Sequence, residues 1–120
     1  MLATAVAQAI ARLDKELVLI GLPDSELIAA GKAAGLGTGA EGFCDRAYEP
    51  DGSLRSRTKH GAVFSDPDQA AKQAVALAES GRVQTLCIHG DSPGAAAMAL
   101  AVRAALDAAG FTIAPLRAHR

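Results

Sequence analysis

The sequence has no tryptophan, one tyrosine and three phenylalanines. A chain this poor in aromatics cannot build its core around large rings. Half of its residues are hydrophobic, but much of that half is alanine, and each alanine buries little area. A thin core is expected for the length. Cysteine is scarce as well. Cys44 and Cys87 lie far apart and form neither a CxxC pair nor a zinc-ligand spacing. That excludes a disulfide framework and leaves buried free thiols as the expectation. Neither sign of charge dominates: the formal net charge is -1 and no basic or acidic block is present. Nucleic acid and membrane surfaces are therefore not expected as partners. The longest apolar run, Leu17 to Leu22, is broken by Gly21 and falls far short of the ~20 residues of a membrane span. The amino end carries no basic stretch ahead of an apolar one, so no signal peptide is expected and the cytoplasm is the default location.

What is present is an alternation of helices and strands. Val6, Ile10, Leu13 and Leu17 recur at helical spacing and predict an amphipathic helix over residues 3 to 14. Leu17 to Ile20 is apolar on both faces, as a central parallel strand would be. Asp24 or Ser25 then offers an N-cap for a helix to about Ala34, with Gly35 beyond its end. The Gly-rich run 35 to 40 closes a helix and leads towards a weak strand at Ala40 to Cys44. A phosphate loop has the opposite order, strand before helix, so that reading is disfavoured. Residues 46 to 65 show no helical period. Pro50-Asp51-Gly52 marks a turn, and its flanks, residues 46 to 48 and 54 to 57, predict a short hairpin. A connection of this length between strand and helix is often a lid or a binding loop; the alternative is a solvated hairpin with ordinary surface charges.

Ser65-Asp66-Pro67-Asp68 opens the next helix, with proline at the first helical position and acid in the first turn. It is expected to run to Gly81. A strand over Val83 to His89 follows, then His89-Gly90-Asp91. Ser92 is the predicted cap and Pro93 the first residue of a final helix ending at Gly110, with Met98, Val102, Ala105 and Ala109 as its buried stripe. Phe111 to Leu116 reads as a last short strand or a tail, and 117 to 120 as a disordered tail. The fold class is α/β, with parallel strands alternating with helices, in one domain over 1 to 116. Ligands of such folds bind at the carboxyl ends of the strands. His89 and Asp91 sit at one such end and Asp45 and Arg46 at another.

Glu41-Gly42-Phe43-Cys44-Asp45-Arg46-Ala47-Tyr48, then Asp51-Gly52-Ser53-Leu54, then Gly61-Ala62-Val63, then Cys87-Ile88-His89-Gly90-Asp91-Ser92-Pro93, resemble blocks of the LamB/YcsF family in order and approximate spacing. The family pattern is close to E-x-F-A-D-R-x-Y, a G-x-L-x-x-R hairpin, G-A-V/I and C-V-H-G-D-x-P. Cys44 stands where the family usually has alanine. The family's amino-terminal blocks, D-L-N-C-D-x-G-E and N-x-A-C-G-x-H-A-G-D, have no counterpart, so the chain resembles a carboxyl-terminal half. The resemblance implies part of a seven-stranded (β/α) barrel of the glycoside hydrolase/deacetylase type, akin to a TIM barrel. It implies one component of an ATP-dependent 5-oxoprolinase that opens 5-oxo-L-proline to L-glutamate with partner subunits B and C.

Opening a lactam at neutral pH needs acid-base groups and cations for phosphoryl or carboxylate oxygens. His89 is the expected general acid/base, oriented by or paired with Asp91, with Asp45 as a further catalytic carboxylate. Arg46, Glu41 and Arg57 are the expected substrate- or phosphate-binding residues. The guanidinium fork of Arg46 suits a carboxylate or a phosphate. The rival readings are that Asp91 bonds backbone amides and caps the helix, and that Asp45 and Arg46 form a structural ion pair. His89, Asp91 and Asp45 have the chemistry of metal ligands, but no tight spacing supports a metal. The alternative to an enzyme component is a truncated, non-catalytic α/β remnant that self-associates through its open sheet edges.

Overall fold

The computed structural model describes residues 1–117; the expected tail therefore falls, from residue 118 on, outside the described residues. The elements run α1 (Leu2–Leu13), β1 (Val18–Gly21), α2 (Glu26–Ala33), β2 (Gly37–Phe43), α3 (Pro67–Glu79), β3 (Thr85–Cys87) and α4 (Ala95–Ala108). The three strands form one sheet in the order β1-β2-β3. β1 and β2 pair in parallel, Val18 opposite Gly37 and Gly21 opposite Ala40. The fold is α/β with a parallel strand pair. The weak strand expected at Ala40 to Cys44 is in fact seven residues long and starts at Gly37, so Gly37 and Gly39 of the Gly-rich run lie within a strand. Gly39 is needed there because a Cβ would come within 3.0 Å of Ile20 Cδ1 and 3.1 Å of Leu116 Cδ2.

The backbone clusters into two compact units. The first takes Met1–Gly42, Ser80–Thr85 and the chain from Ala114. Its core is Ala7, Leu19 and Leu36, with Ile10, Ala11, Leu27, Ala30 and Ala34 packed around them. The stripe expected on α1 is thus displaced. Ala7 is fully buried while Leu13 is 82% exposed and Val6 and Leu17 are exposed. Small side chains at Ala7 and Ala11 make the close contact together with Ile10 of the expected stripe, while Val6 and Leu13 face out. Ser25 caps α2, its Oγ accepting from the Ile28 amide, and Gly35 at φ 78° ends it.

The second unit takes Phe43–Glu79 and Leu86–Ile113. Its core joins Cys44, Ala70, Ala74, Met98, Val102 and Leu106, so α3 and α4 pack through alanine on one side and longer side chains on the other. The stripe of α4 runs Met98, Val102, Leu106 at i, i+4 spacing, and Ala109 is exposed. Asp66 caps α3, its Oδ1 accepting from the Asp68 amide, and Pro67 is the first helical residue. The start of α4 differs from expectation. Gly94, at φ 80°, is the N-cap and no side chain caps the helix. Ser92-Pro93 instead lies in a turn closed by the Ala95 amide bonding Ser92 O. No strand forms over 111 to 117.

The long connection is an ordered antiparallel patch. Tyr48 bridges Leu54, and Arg46 bridges Val63. The Glu49–Gly52 turn closes with the Gly52 amide bonding Glu49 O. The expected hairpin is therefore present, and a third segment, residues 62 to 64, lies along its other side: the Ala47 amide bonds Ala62 O and the Phe64 amide bonds Asp45 O.

Candidate functional site

Both segments that carry the site belong to the second unit. β2 ends at Phe43 and the chain turns at Cys44-Asp45. The Cys44 amide bonds Cys87 O at 3.0 Å, which brings the end of β2 beside the end of β3. His89 follows two residues after β3.

The contact that defines the site is between Asp45 and His89. Asp45 is 2% exposed. Its Oδ2 accepts the His89 backbone amide at 2.8 Å, and both its oxygens lie 3.0 Å from His89 Nδ1. A carboxylate only accepts, so Nδ1 carries a proton, and in the neutral imidazole the lone pair lies on Nε2. The ring of Phe43 stacks on the imidazole with centroids 5.5 Å apart and planes 11° off parallel. Phe43 is itself fixed, since its amide donates to the Tyr48 hydroxyl at 2.8 Å. The imidazole is thus oriented by one carboxylate and one ring face and remains partly open to solvent, its side chain 29% exposed.

The expected pairing of His89 with Asp91 does not occur. Asp91 is exposed on the turn, and it does not cap α4. The reason is the turn at Cys44-Asp45, which delivers a carboxylate to His89 before Gly90 carries the chain away. Asp45 and Arg46 likewise form no ion pair: Asp45 bonds His89, and Arg46 Nη2 donates to Arg55 O at 2.8 Å. Arg46 is buried, at 8% exposure, and its Nε has no hydrogen-bond partner among the described residues. A buried guanidinium in that state favours an anion. Cys44 is fully buried between Ala70 and Ala74 and α4. Burial first, then the charge of Asp45 and the neighbouring Cys87, push its thiol up to about 12, so it is no nucleophile at neutral pH. No three His, Cys, Asp or Glu gather as a metal site among the described residues.

The model of the LamB/YcsF family matches residues 1–120. The chain belongs to the LamB/YcsF family. It is similar to the 5-oxoprolinase A-subunit of Chloroflexus aggregans, 46% identical over 125 residues that make up 94% of this chain and 50% of that protein. To the 5-oxoprolinase A-subunit of Nitrobacter hamburgensis it is 46% identical over 129 residues, 98% of this chain and 51% of that one. Among solved structures, the lactam utilization protein from Thermus thermophilus superimposes with a TM-score of 0.80 at 35% identity, over 92% of this chain and 49% of that one. The chain therefore spans about half the length of the relatives it matches.

In this LamB/YcsF chain the remaining expected residues lie on other elements. Arg57 is exposed in the long connection, and Glu41 lies half-buried on β2 within the first unit. Two residues at the site are given no role by the sequence pattern: Phe43, stacked on His89, and Gln73 of α3, whose Nε2 donates to Phe43 O and Arg46 O. Phe43 carries a signal, because it stands two positions before Asp45 in the block Glu41 to Tyr48 that resembles the family. Gln73 carries none; it reads as one polar residue on an amphipathic helix. No helix among the described residues is long and apolar enough to cross a membrane.

Proposed function

We propose that this chain is the carboxyl-terminal half of a 5-oxoprolinase A-subunit, working in an ATP-dependent opening of 5-oxo-L-proline to L-glutamate in the cytoplasm. The observation that carries this reading is the Asp45–His89 pair, which leaves one imidazole nitrogen free at a strand end. It is supported by two relatives 46% identical across nearly the whole chain. His89 Nε2 takes a proton from the attacking water or returns one to the lactam nitrogen, and Asp45 holds the ring so that this nitrogen, rather than Nδ1, faces the reaction. Asp91, on the exposed turn, is the second acid/base candidate.

ATP would supply the activation that makes an amide carbonyl open at neutral pH. Of the residues expected to hold its phosphates or the substrate carboxylate, Arg46 fits by its buried, incompletely bonded guanidinium. Glu41 and Arg57 would act from the strand and from the long connection. The reading includes a seven-stranded barrel completed by the other half of the family's length, and partner subunits B and C. A self-associating remnant without turnover is the competing reading; the exposed Leu2 and Leu13 of α1 favour association under either.

The test combines the chain with the non-matching half of the Chloroflexus aggregans relative and with that organism's subunits B and C. Glutamate and ADP are then measured from 5-oxo-L-proline and ATP. ATP-dependent glutamate release that requires this chain supports the proposal, and its absence in a complex shown by mass to be assembled refutes it.

A further inference from the structure

Gln73 lies on α3, and its side-chain amide reaches the end of β2. Nε2 donates to Phe43 O at 2.7 Å, to Arg46 O at 2.6 Å and more weakly to Cys44 O at 3.3 Å. Carbonyls along an extended strand alternate in direction. Three of four consecutive ones meeting at a single nitrogen require the chain to leave the extended form between Phe43 and Arg46. The fourth residue of that set is Asp45. An amide has two hydrogens, so the two short bonds use them and the third carbonyl shares one. No backbone donor of α3 does this, because a helix spends its amides internally.

We propose that Gln73 is a positioning residue for the Asp45–His89 pair, fixing the bend that aims the Asp45 carboxylate at His89 Nδ1 and the His89 amide. The proposal rests on the acid/base role given to His89 but concerns geometry that exists without it. Gln73 touches neither the reacting nitrogen nor the Asp45 carboxylate; it acts by holding the backbone on both sides of Asp45. Its neighbours on α3, Ala70 and Ala74, are buried and bring the helix close enough for a glutamine to reach. An asparagine there would fall one methylene short.

The test uses the 120-residue chain labelled with nitrogen-15, comparing Gln73→Met, which keeps the length and removes both donors, with Gln73→Asn. Two signals are read: the imidazole nitrogens of His89, which report the tautomer, and hydrogen exchange of the His89 amide. In the unaltered chain the ring is held with its proton on Nδ1. In Gln73→Met the ring signals move towards a tautomer average and the His89 amide exchanges at least ~10-fold faster, as loss of one hydrogen bond allows. Exchange of the Met98 and Val102 amides stays within about twofold, since a local opening leaves the rest of the core protected. Gln73→Asn gives the same change in smaller measure and covers the case in which Gln73→Met does not fold. An unchanged His89 ring and amide in both variants overturns the proposal. So does an equal rise in exchange across Met98, Val102 and His89, which would make Gln73 a general stabiliser. Turnover is not read, so a failure of the acid/base role of His89 leaves this result standing and is recognised separately.

Discussion

Replacing Asp45 by asparagine alters the site with the least change of shape. The carboxylate is 2% exposed and accepts from two His89 donors, the amide at 2.8 Å and Nδ1 at 3.0 Å. Asparagine keeps one acceptor, which stays with the backbone amide. The new NH2 then faces Nδ1, and two donors cannot share that contact. The ring must move its proton to Nε2, which removes the lone pair the mechanism needs. A hydrogen bond to a charged group contributes about 1.5–3 kcal/mol and a neutral one about 0.5–1.5, so stability falls by roughly 1 kcal/mol. At this chain length that is about 3–6 °C in Tm. Asp45→Ala also leaves a buried amide unsatisfied and costs about 3 kcal/mol. Calorimetry reads the Tm, and nitrogen-15 spectra of the ring read the tautomer. In an active assembly Asp45→Asn lowers kcat by on the order of 100-fold with little change in KM, the size of a lost acid/base. If Asp45→Asn keeps the proton on Nδ1 and keeps its turnover, the orienting role of Asp45 is refuted.

Other expectations follow from the same structure. The Cys44 thiol, pushed up to about 12 by burial, stays neutral in the fold; iodoacetamide in mild alkali alkylates it at least ~100-fold more slowly in the folded chain than in urea. Because its folded value lies above the unfolded one near 9, stability falls as pH rises from about 9 to about 12, with the unfolded thiolate gained first; Cys44→Ala flattens that decline in alkaline melting curves. Glu49 is held below its ordinary value mainly by its hydrogen bond to Arg55, with Arg55 and Lys59 charges adding. Its contribution is present above pH 4.5 and lost as pH falls through the lowered value, so the Tm difference between the chain and Glu49→Gln closes in acid. Leu106→Ala, at a buried position of α4, costs about 2–5 kcal/mol in urea unfolding. Leu13→Lys, at an 82% exposed position, changes stability by under ~0.5 kcal/mol while lowering any self-association seen by sedimentation.

Much of this fold is legible in the sequence because its signals are local. Ser25, Asp66-Pro67 and the glycines at 35, 81 and 110 mark helix ends by cap chemistry and positive φ. Departures arise where a tertiary contact decides. Ser92-Pro93 has the sequence of a helix start, yet Gly94 caps α4 because the turn after His89 must close first. On α1 the spacing of the large apolar residues gives the right period and places Ile10 against the core, but Val6 and Leu13 are exposed and Ala7 makes the fully buried contact. At the site, His89 and Asp45 are both visible as polar residues at strand ends. Their pairing is not, because it depends on a turn held by Gln73, 27 positions along the chain from Arg46. Proximity in sequence points to Asp91, and proximity in the sheet selects Asp45.

The role of His89 is tested most directly by the turnover of His89→Ala in the reconstituted assembly, measured as glutamate formed from 5-oxo-L-proline per mole of complex. The expected result is a loss of at least ~100-fold in kcat, with Tm and subunit stoichiometry close to those of the unaltered complex. Turnover within a few-fold of the unaltered complex would contradict the assignment of His89 as the group that moves the proton.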